Sequence, residues 1–242
     1  MATLEPSSPG AVLPPGHGSV HIWYATLEEL RPRHAEFAAL LDRDEQERAL
    51  RFRFDHDRER YVLGHGLLRV LIAAYLWQDP ASIHMGRGRF GKPYLEGADL
   101  RFSFSDTKDA ILAAFTTGAE IGADIETMHR NVDHDGVSGH YLTTPEVRAI
   151  QQAGDGAKRR FLEFWTRKES VLKASGTGIM DDLHSLRVDQ PRNDLTIRHP
   201  EFVAMAAPAY HVHTWHVGAC HLVSAASPEE IREVSAWSAG GA

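Results

Sequence analysis

Two short stretches hold the side chains best suited to chemistry. Trp165-Thr166-Arg167-Lys168-Glu169-Ser170-Val171-Leu172-Lys173 reads as a helix, because Phe161, Phe164, Trp165, Val171 and Leu172 recur at helical spacing, with Gly176 and Gly178 as stop signals. On that helix Glu169 and Lys173 are four residues apart and share a face, with Lys168 at its edge. Ile121-Gly122-Ala123-Asp124-Ile125-Glu126 reads as a strand. Ile121, Ala123 and Ile125 then point one way and Gly122, Asp124 and Glu126 the other. Two carboxylates stand side by side above a residue without a side chain, which leaves room and charge for a hard cation that prefers oxygen ligands. Three carboxylates and two lysines on neighbouring elements suit the holding of a magnesium-bound phosphate chain. Each motif also has an ordinary reading: Lys-Glu-x-x-x-Lys as a solvated helix face, and Asp-x-Glu as surface at a strand end.

The elements that must position these groups can be traced along the chain. Residues 1–18, with Pro6-Ser-Ser-Pro-Gly and Leu13-Pro-Pro-Gly, read as a disordered leader. Val20–Tyr24 is the first strand. Helical stretches follow at Leu27–Leu41, interrupted near Pro32, and at Asp44–Phe52. The longest helix is Asp57–Trp77, burying Tyr61, Leu63, Leu67, Leu68, Leu71, Ile72 and Tyr75. Short strands at Ile83–Arg89 and Phe102–Phe104 flank a turn at Gly91-Lys92-Pro93. Ile111–Thr116 and Glu120–Glu126 are expected as a hairpin across Thr117-Gly118. His129–Gly139 is polar, Thr144–Gln152 is helical, and Lys158–Ala174 is the helix that holds Glu169. Leu186–Asp189, Leu195–Arg198 and Tyr210–Val223 are strand-like, and Ser238-Ala-Gly-Gly-Ala reads as a frayed tail. The irregular alternation with hairpins predicts an α+β fold.

Composition narrows the class. A chain of 242 residues with 43% hydrophobic and 24% charged residues can bury a sizeable core. Net charge is −7; the segment up to Gly118 has 14 Lys+Arg against 16 Asp+Glu, and the remainder 12 against 17. Neither half is basic, which argues against a dedicated nucleic-acid binder. The longest apolar run, Leu67–Trp77, is too short to span a bilayer and is broken by Arg69, and the N-terminus lacks the pattern of a secretory signal. The single cysteine, Cys220, fits a reducing compartment, so the expected location is the cytoplasm. Fifteen histidines include His211, His213 and His216, but no Cys partner or His-Glu-x-x-His pattern accompanies them as a zinc site would require. Gly64-His65-Gly66 reads as close helix packing rather than a phosphate loop, since no Gly-Lys-Ser/Thr follows.

Four blocks in order, Gly91-Lys92-Pro93, Phe102-Ser-Phe-Ser105-Asp106-Thr107, Ile121-Gly-Ala-Asp124-Ile-Glu126 and Phe164-Trp165-x-x-Lys168-Glu169-Ser-x-x-Lys173, resemble the surfactin-type 4'-phosphopantetheinyl transferases. The similarity runs from about Val20 to about Ala225. The resemblance implies two similar lobes, a pseudo-dimer in which each lobe is a small antiparallel sheet with a packed helix. The cofactor site lies between them, and the boundary falls near Gly118 (residues 19–118 and 119–242). It implies transfer of the phosphopantetheine arm of coenzyme A to a serine of an acyl or peptidyl carrier protein, with 3',5'-ADP as leaving group. Fatty-acid, polyketide and nonribosomal-peptide carriers are all open. Asp124, Glu126 and Glu169 would ligate magnesium, and Glu169 would serve as direct or water-relayed base. Lys168 and Lys173 would neutralise phosphates. Lys92 would meet the cofactor near its diphosphate or adenosine end, Arg87 and Arg89 would face the adenine or phosphates, and Arg48 and Arg60 would reach the 3'-phosphate.

One block departs from the family. Ser105-Asp106-Thr107 stands where the family commonly has Ser-His-Ser, and an ionised Asp106 cannot donate to a phosphate. Asp106 turns away, pairs with an arginine such as Arg60, or is protonated; Ser105 and Thr107 can still donate. The rival reading is a non-catalytic coenzyme A or carrier-protein binder, opposed by the intact acidic and basic residues of the last two blocks. A metal-dependent phosphohydrolase would want denser His and Asp motifs. The two-lobed length is that of a monomer.

Overall fold

Eleven strands and two long helices dominate a computed structural model that describes residues 2–6, 13–178 and 182–240, without the side chains of His134 and Asp135. The strands are β1 (Ala2–Leu4), β2 (Ser19–Thr26), β3 (Gly86–Arg87), β4 (Pro93–Tyr94), β5 (Leu100–Asp106), β6 (Ala110–Thr117), β7 (Gly122–Thr127), β8 (Arg192–Asp194), β9 (Ala209–Val217), β10 (His221–Ser227) and β11 (Glu233–Ser238). One sheet has the order β11-β2-β6-β5. A second runs β1-β9-β10-β7, with β8 also on β9, and β3 and β4 form a small ribbon. The long helices are Asp55–Leu76 and Ala157–Ser175.

Strand alternation explains the layering. On β2 and β6, Trp23, Ala25, Ile111, Ala113 and Phe115 face the Asp55–Leu76 helix and pack on its Leu63, Leu67, Leu71 and Tyr75. The opposite faces, with Val20, Ile22, Leu112 and Ala114, meet Ala123, Ile125, Val217, Val223 and Ala225 of the second sheet and Ile121 just before β7. The far side of that sheet packs Val212, Leu222 and Ala226 on Phe161, Leu162, Val171 and Leu172 of the Ala157–Ser175 helix. The result is α+β in four layers, helix-sheet-sheet-helix, with each half offering one sheet and one long helix.

Several expected elements differ. β6 and β7 form no hairpin: β6 is flanked by β2 and β5, while β7 pairs with β10 in the other sheet. Both faces of β6 are buried, the signature of a central strand, so Thr117-Gly118 is a crossover between sheets. The leader is not wholly irregular. Ala2–Leu4 adds in parallel to β9, supplying partners to a free sheet edge, and residues 7–12 lie outside the described residues. At the other end, β11 pairs in parallel with β2, and Ala239 of the expected tail is fully buried, its N–H donating to Tyr24 O at 2.8 Å. Each terminal strand therefore sits on the sheet of the opposite half, and a cut at Gly118 does not separate two self-contained units. Within the polar His129–Gly139 stretch a helix, His134–Tyr141, begins, capped by Asp133. No described helix is long and apolar enough to cross a membrane.

Glycines permit two close approaches that a side chain would forbid. A Cβ on Gly66 would lie 2.2 Å from Phe37 Cβ, so Gly64-His65-Gly66 is helix packing. A Cβ on Gly122 would lie 1.9 Å from Ser170 O and 2.3 Å from Ala174 N, so β7 touches the backbone of the Ala157–Ser175 helix.

Candidate active site

That approach of strand to helix sets Asp124 against the Glu169 and Lys173 face. Lys173 Nζ donates to Asp124 Oδ1 at 2.7 Å and to Ser105 Oγ at 2.8 Å; Ser105 Oγ donates to Asp124 Oδ1 at 2.8 Å. Glu169 Oε1 is buried with no hydrogen-bond partner among the described residues. Burial and the neighbouring charge of Asp124 push Glu169 up to about 7, against the pull of Lys173 and Arg130. A carboxyl group poised there can exchange a proton near neutrality.

Two serines stitch the site across the seam between the sheets. Ser103 Oγ accepts from Ala123 N at 2.9 Å, and Ser105 Oγ accepts from Ile125 N at 3.4 Å. These hydroxyls tie β5 to β7 where no backbone ladder joins them. Ser103 was not singled out by sequence; its alternation with Ser105 along one strand face was the available signal.

Glu126 lies on the same strand face as Asp124 but is held by Arg130. Arg130 also stands 5.4 Å over the Trp165 ring. Its position in a polar stretch gave no periodic signal. Lys168 does not reach the site. It is fully buried on another face of the helix, 3.0 Å from Glu146 Oε2, and donates to Leu183 O and Leu186 O. Glu146 in turn accepts from Val188 N at 2.9 Å and Thr143 N at 2.8 Å. The expected phosphate contact is therefore a structural ion pair, placed there because residues 168 and 169 are about 100° apart around a helix. Its ammonium is held below the usual lysine range by burial, which Glu146 partly offsets.

A groove opens beside this cluster. It is a chain of three adjoining cavities. One is lined by Arg48, Arg51 and Arg87. A second shares Arg48 and Arg87 and adds Arg60, Tyr61, His65 and Asp106. A third shares Arg60 and Asp106 and adds Thr107, Lys108, Glu126, His129 and Arg130. Arg60 Nε lies 2.5 Å from Asp106 Oδ2, and Arg60 also pairs with Asp57 at 2.9 Å. Of the three outcomes for Asp106, the structure has the pairing with Arg60. Arg48 meets no carboxylate among the described residues and stands 5.6 Å over the Tyr61 ring. Arg89 is turned out to Glu201 at 2.7 Å. Lys92 donates to Glu120 at 2.6 Å, Ile121 O at 3.1 Å and Ala174 O at 3.4 Å, so it braces the seam behind the site rather than lining the groove. Burial lowers its pKa, which Glu120 partly offsets.

Asp124 and Glu169 suit a hard divalent cation: both are oxygen donors, they repel one another, and one Glu169 oxygen lacks a partner. Among the described residues no three His, Cys, Asp or Glu side chains converge enough to enclose one ion. The third expected ligand, Glu126, is turned to Arg130.

Comparisons with known proteins point to one family. Residues 120–225 match the model of the 4'-phosphopantetheinyl transferase superfamily, and residues 23–116 match that of the N-terminal part of a 4'-phosphopantetheinyl transferase. The 4'-phosphopantetheinyl transferase HetI of Nostoc sp. is 31% identical over 165 residues, 66% of this chain and 70% of its own length. A phosphopantetheinyl transferase of Thraustochytrium sp. is 30% identical over 179 residues, 66% of this chain and 62% of its own. A 4'-phosphopantetheinyl transferase of Bacillus subtilis is 29% identical over 152 residues, 62% and 66% of the two chains.

Proposed function

The chain belongs to the 4'-phosphopantetheinyl transferase superfamily, and from that premise we propose that Asp124, Glu169 and Lys173 form the centre at which it moves the phosphopantetheine arm of coenzyme A to a serine of an acyl or peptidyl carrier protein. The serine Oγ–P bond forms, the phosphoanhydride P–O bond breaks, and 3',5'-ADP leaves. The observation that carries this reading is the buried, unpartnered Glu169 oxygen beside Asp124 and Lys173.

Glu169 takes the serine proton, directly or through water, as its raised pKa suits. Lys173, released from Asp124, places its charge on the phosphates. Asp124, Glu169 and Glu126, once Arg130 lets go, would hold magnesium. Bound there, the ion supplies positive charge that offsets the charge developing on the leaving diphosphate. Arg48, Arg60 and Arg87 line the groove for the adenosine and 3'-phosphate end, and Thr107 offers a hydroxyl there, while the expected Ser105 hydroxyl is donated to Asp124. We read the two halves as pseudo-equivalent lobes and take the stretch lined by Arg60 and Lys108 on one side and Glu126 and Asn131 on the other as the part of the cofactor site between them. Lys168 keeps Glu169 in register through Glu146. Arg89 and Lys92 support the fold around the Gly91 turn. The single cysteine supports a cytoplasmic location, the lack of a basic half supports a protein that does not act on nucleic acid, and the two-lobed length supports a monomer.

The test pairs a product with a titration. Release of 3',5'-ADP should require both coenzyme A and an apo carrier, and release without a carrier would indicate hydrolysis. Calorimetry should show that Asp124→Ala loses the magnesium enhancement of coenzyme A binding; an enhancement equal to the parent's would remove Asp124 from the ion site.

A further inference from the structure

Cations near the reacting centre are already engaged. Lys173 is on Asp124, Arg130 on Glu126, Arg60 on Asp106 and Asp57, Lys92 on Glu120, and Lys168 is buried with Glu146. Lys108 differs. It is exposed at the tip of the β5–β6 turn, lines the same stretch of groove as Glu126 and Arg130, and has no ion pair or hydrogen bond from its ammonium among the described residues.

The turn that presents it is fastened on both sides. Thr107 N donates to Ala110 O at 2.9 Å, and Leu27 N donates to Asp109 O at 2.9 Å. Asp109 Oδ1 lies 3.1 Å from His221 Nε2, and His221 Nδ1 lies 3.1 Å from Tyr24 Oη. With Asp109 accepting from Nε2–H, Nδ1 accepts from the tyrosine hydroxyl. His221 belongs to β10 of the second sheet, whereas Tyr24 and Asp109 belong to the first half, so this Asp-His-Tyr clasp crosses between the sheets and fixes the turn against the groove.

We propose that Lys108 is a further coenzyme A contact, an ammonium aimed at the cofactor's phosphates from the β5–β6 turn, and that His221 is its positioning residue through Asp109. Lys108 takes the place that sequence reasoning gave to Lys168. A mobile lysine on a fastened turn loses less freedom on binding than one on a loose loop. The inference rests on the transferase reading above.

The test is steady-state kinetics with coenzyme A and an apo carrier varied separately. Lys108→Ala is an exposed change that leaves the fold intact. It should raise KM for coenzyme A by about five- to tenfold, as expected for one partly screened charge-assisted contact, and should flatten its salt dependence. Lys108→Arg should restore most of the loss. His221→Asn should raise the same KM in the parent and add little in the Lys108→Ala background, a coupling that mere loss of stability would not produce. An unchanged KM for coenzyme A, a rise confined to the carrier's KM, or additive effects of the two changes would each overturn the proposal. If the unaltered protein transfers no phosphopantetheine at all, the transferase reading fails instead, so the two failures are distinguishable.

Discussion

Glu169→Gln should separate activity from stability, in opposite directions. Burial and Asp124 raise this carboxyl from 4.5 to about 7. The folded state therefore holds the proton more tightly than the unfolded one, and stability from this group is complete below the unfolded value and lost as pH rises through about 7. At about 1.4 kcal/mol per unit, a shift of that size is worth at most roughly 3 kcal/mol. Partial exposure of the side chain screens it to about 1–3 kcal/mol. Glutamine keeps the shape and cannot ionise. In metal-free buffer near pH 8 the variant should thus melt about 2–12 °C above the parent, and near pH 4 the difference should vanish. Its transfer rate should fall about 10²–10⁴-fold through loss of the base alone. Melting curves in chelator across that range, beside a transfer assay, check both halves. A melting difference independent of pH would refute the raised carboxyl, and transfer near the parent rate would refute its role.

The remaining expectations follow from single contacts. Lys168→Met should cost about 3–5 kcal/mol in chemical denaturation, because Glu146 is left buried and without its cation; a loss under about 1 kcal/mol would show that the pair is dispensable. Gly122→Ala should push β7 off the helix at Ser170 and Ala174, lowering both the melting temperature and the transfer rate, and a variant with parental values would show that the contact relaxes freely. Asp106→His releases Arg60 from its 2.5 Å partner. Affinity for coenzyme A should fall by about 1 kcal/mol or less, with dephospho-coenzyme A less affected. An unmoved ratio of the two dissociation constants would place Asp106 away from the 3'-phosphate.

Glu169, Lys173 and Asp124 were legible because helix and strand periodicities each put reactive groups on one face; the room expected above Gly122 for a cation is instead filled by the helix backbone at Ser170 and Ala174. Lys168 misled for the same reason: its neighbour Glu169 is on the site face, but one residue is a large rotation around a helix. Glu146, its partner, is 22 residues away, and no local pattern links them. The two long helices fell within two residues of their expected ends, as amphipathic helices do. The β6–β7 hairpin failed because strand partners are a tertiary choice: two adjacent apolar strands joined by Thr117-Gly118 can pair or cross between sheets, and the sequence is compatible with both. The same holds for β1 and β11, short end segments that take their structure from sheet edges in the opposite half. Arg130 and Lys108 lie in polar stretches whose meaning depends on what faces them.

The most direct test of the central claim is the intact mass of an apo carrier protein incubated with this chain, coenzyme A and magnesium. The carrier should gain one phosphopantetheine on its serine, in amounts matching the 3',5'-ADP released, with no gain when Glu169→Gln replaces the parent. A carrier whose mass stays unchanged across fatty-acid, polyketide and nonribosomal-peptide types, with the folded parent present and coenzyme A bound, would contradict it.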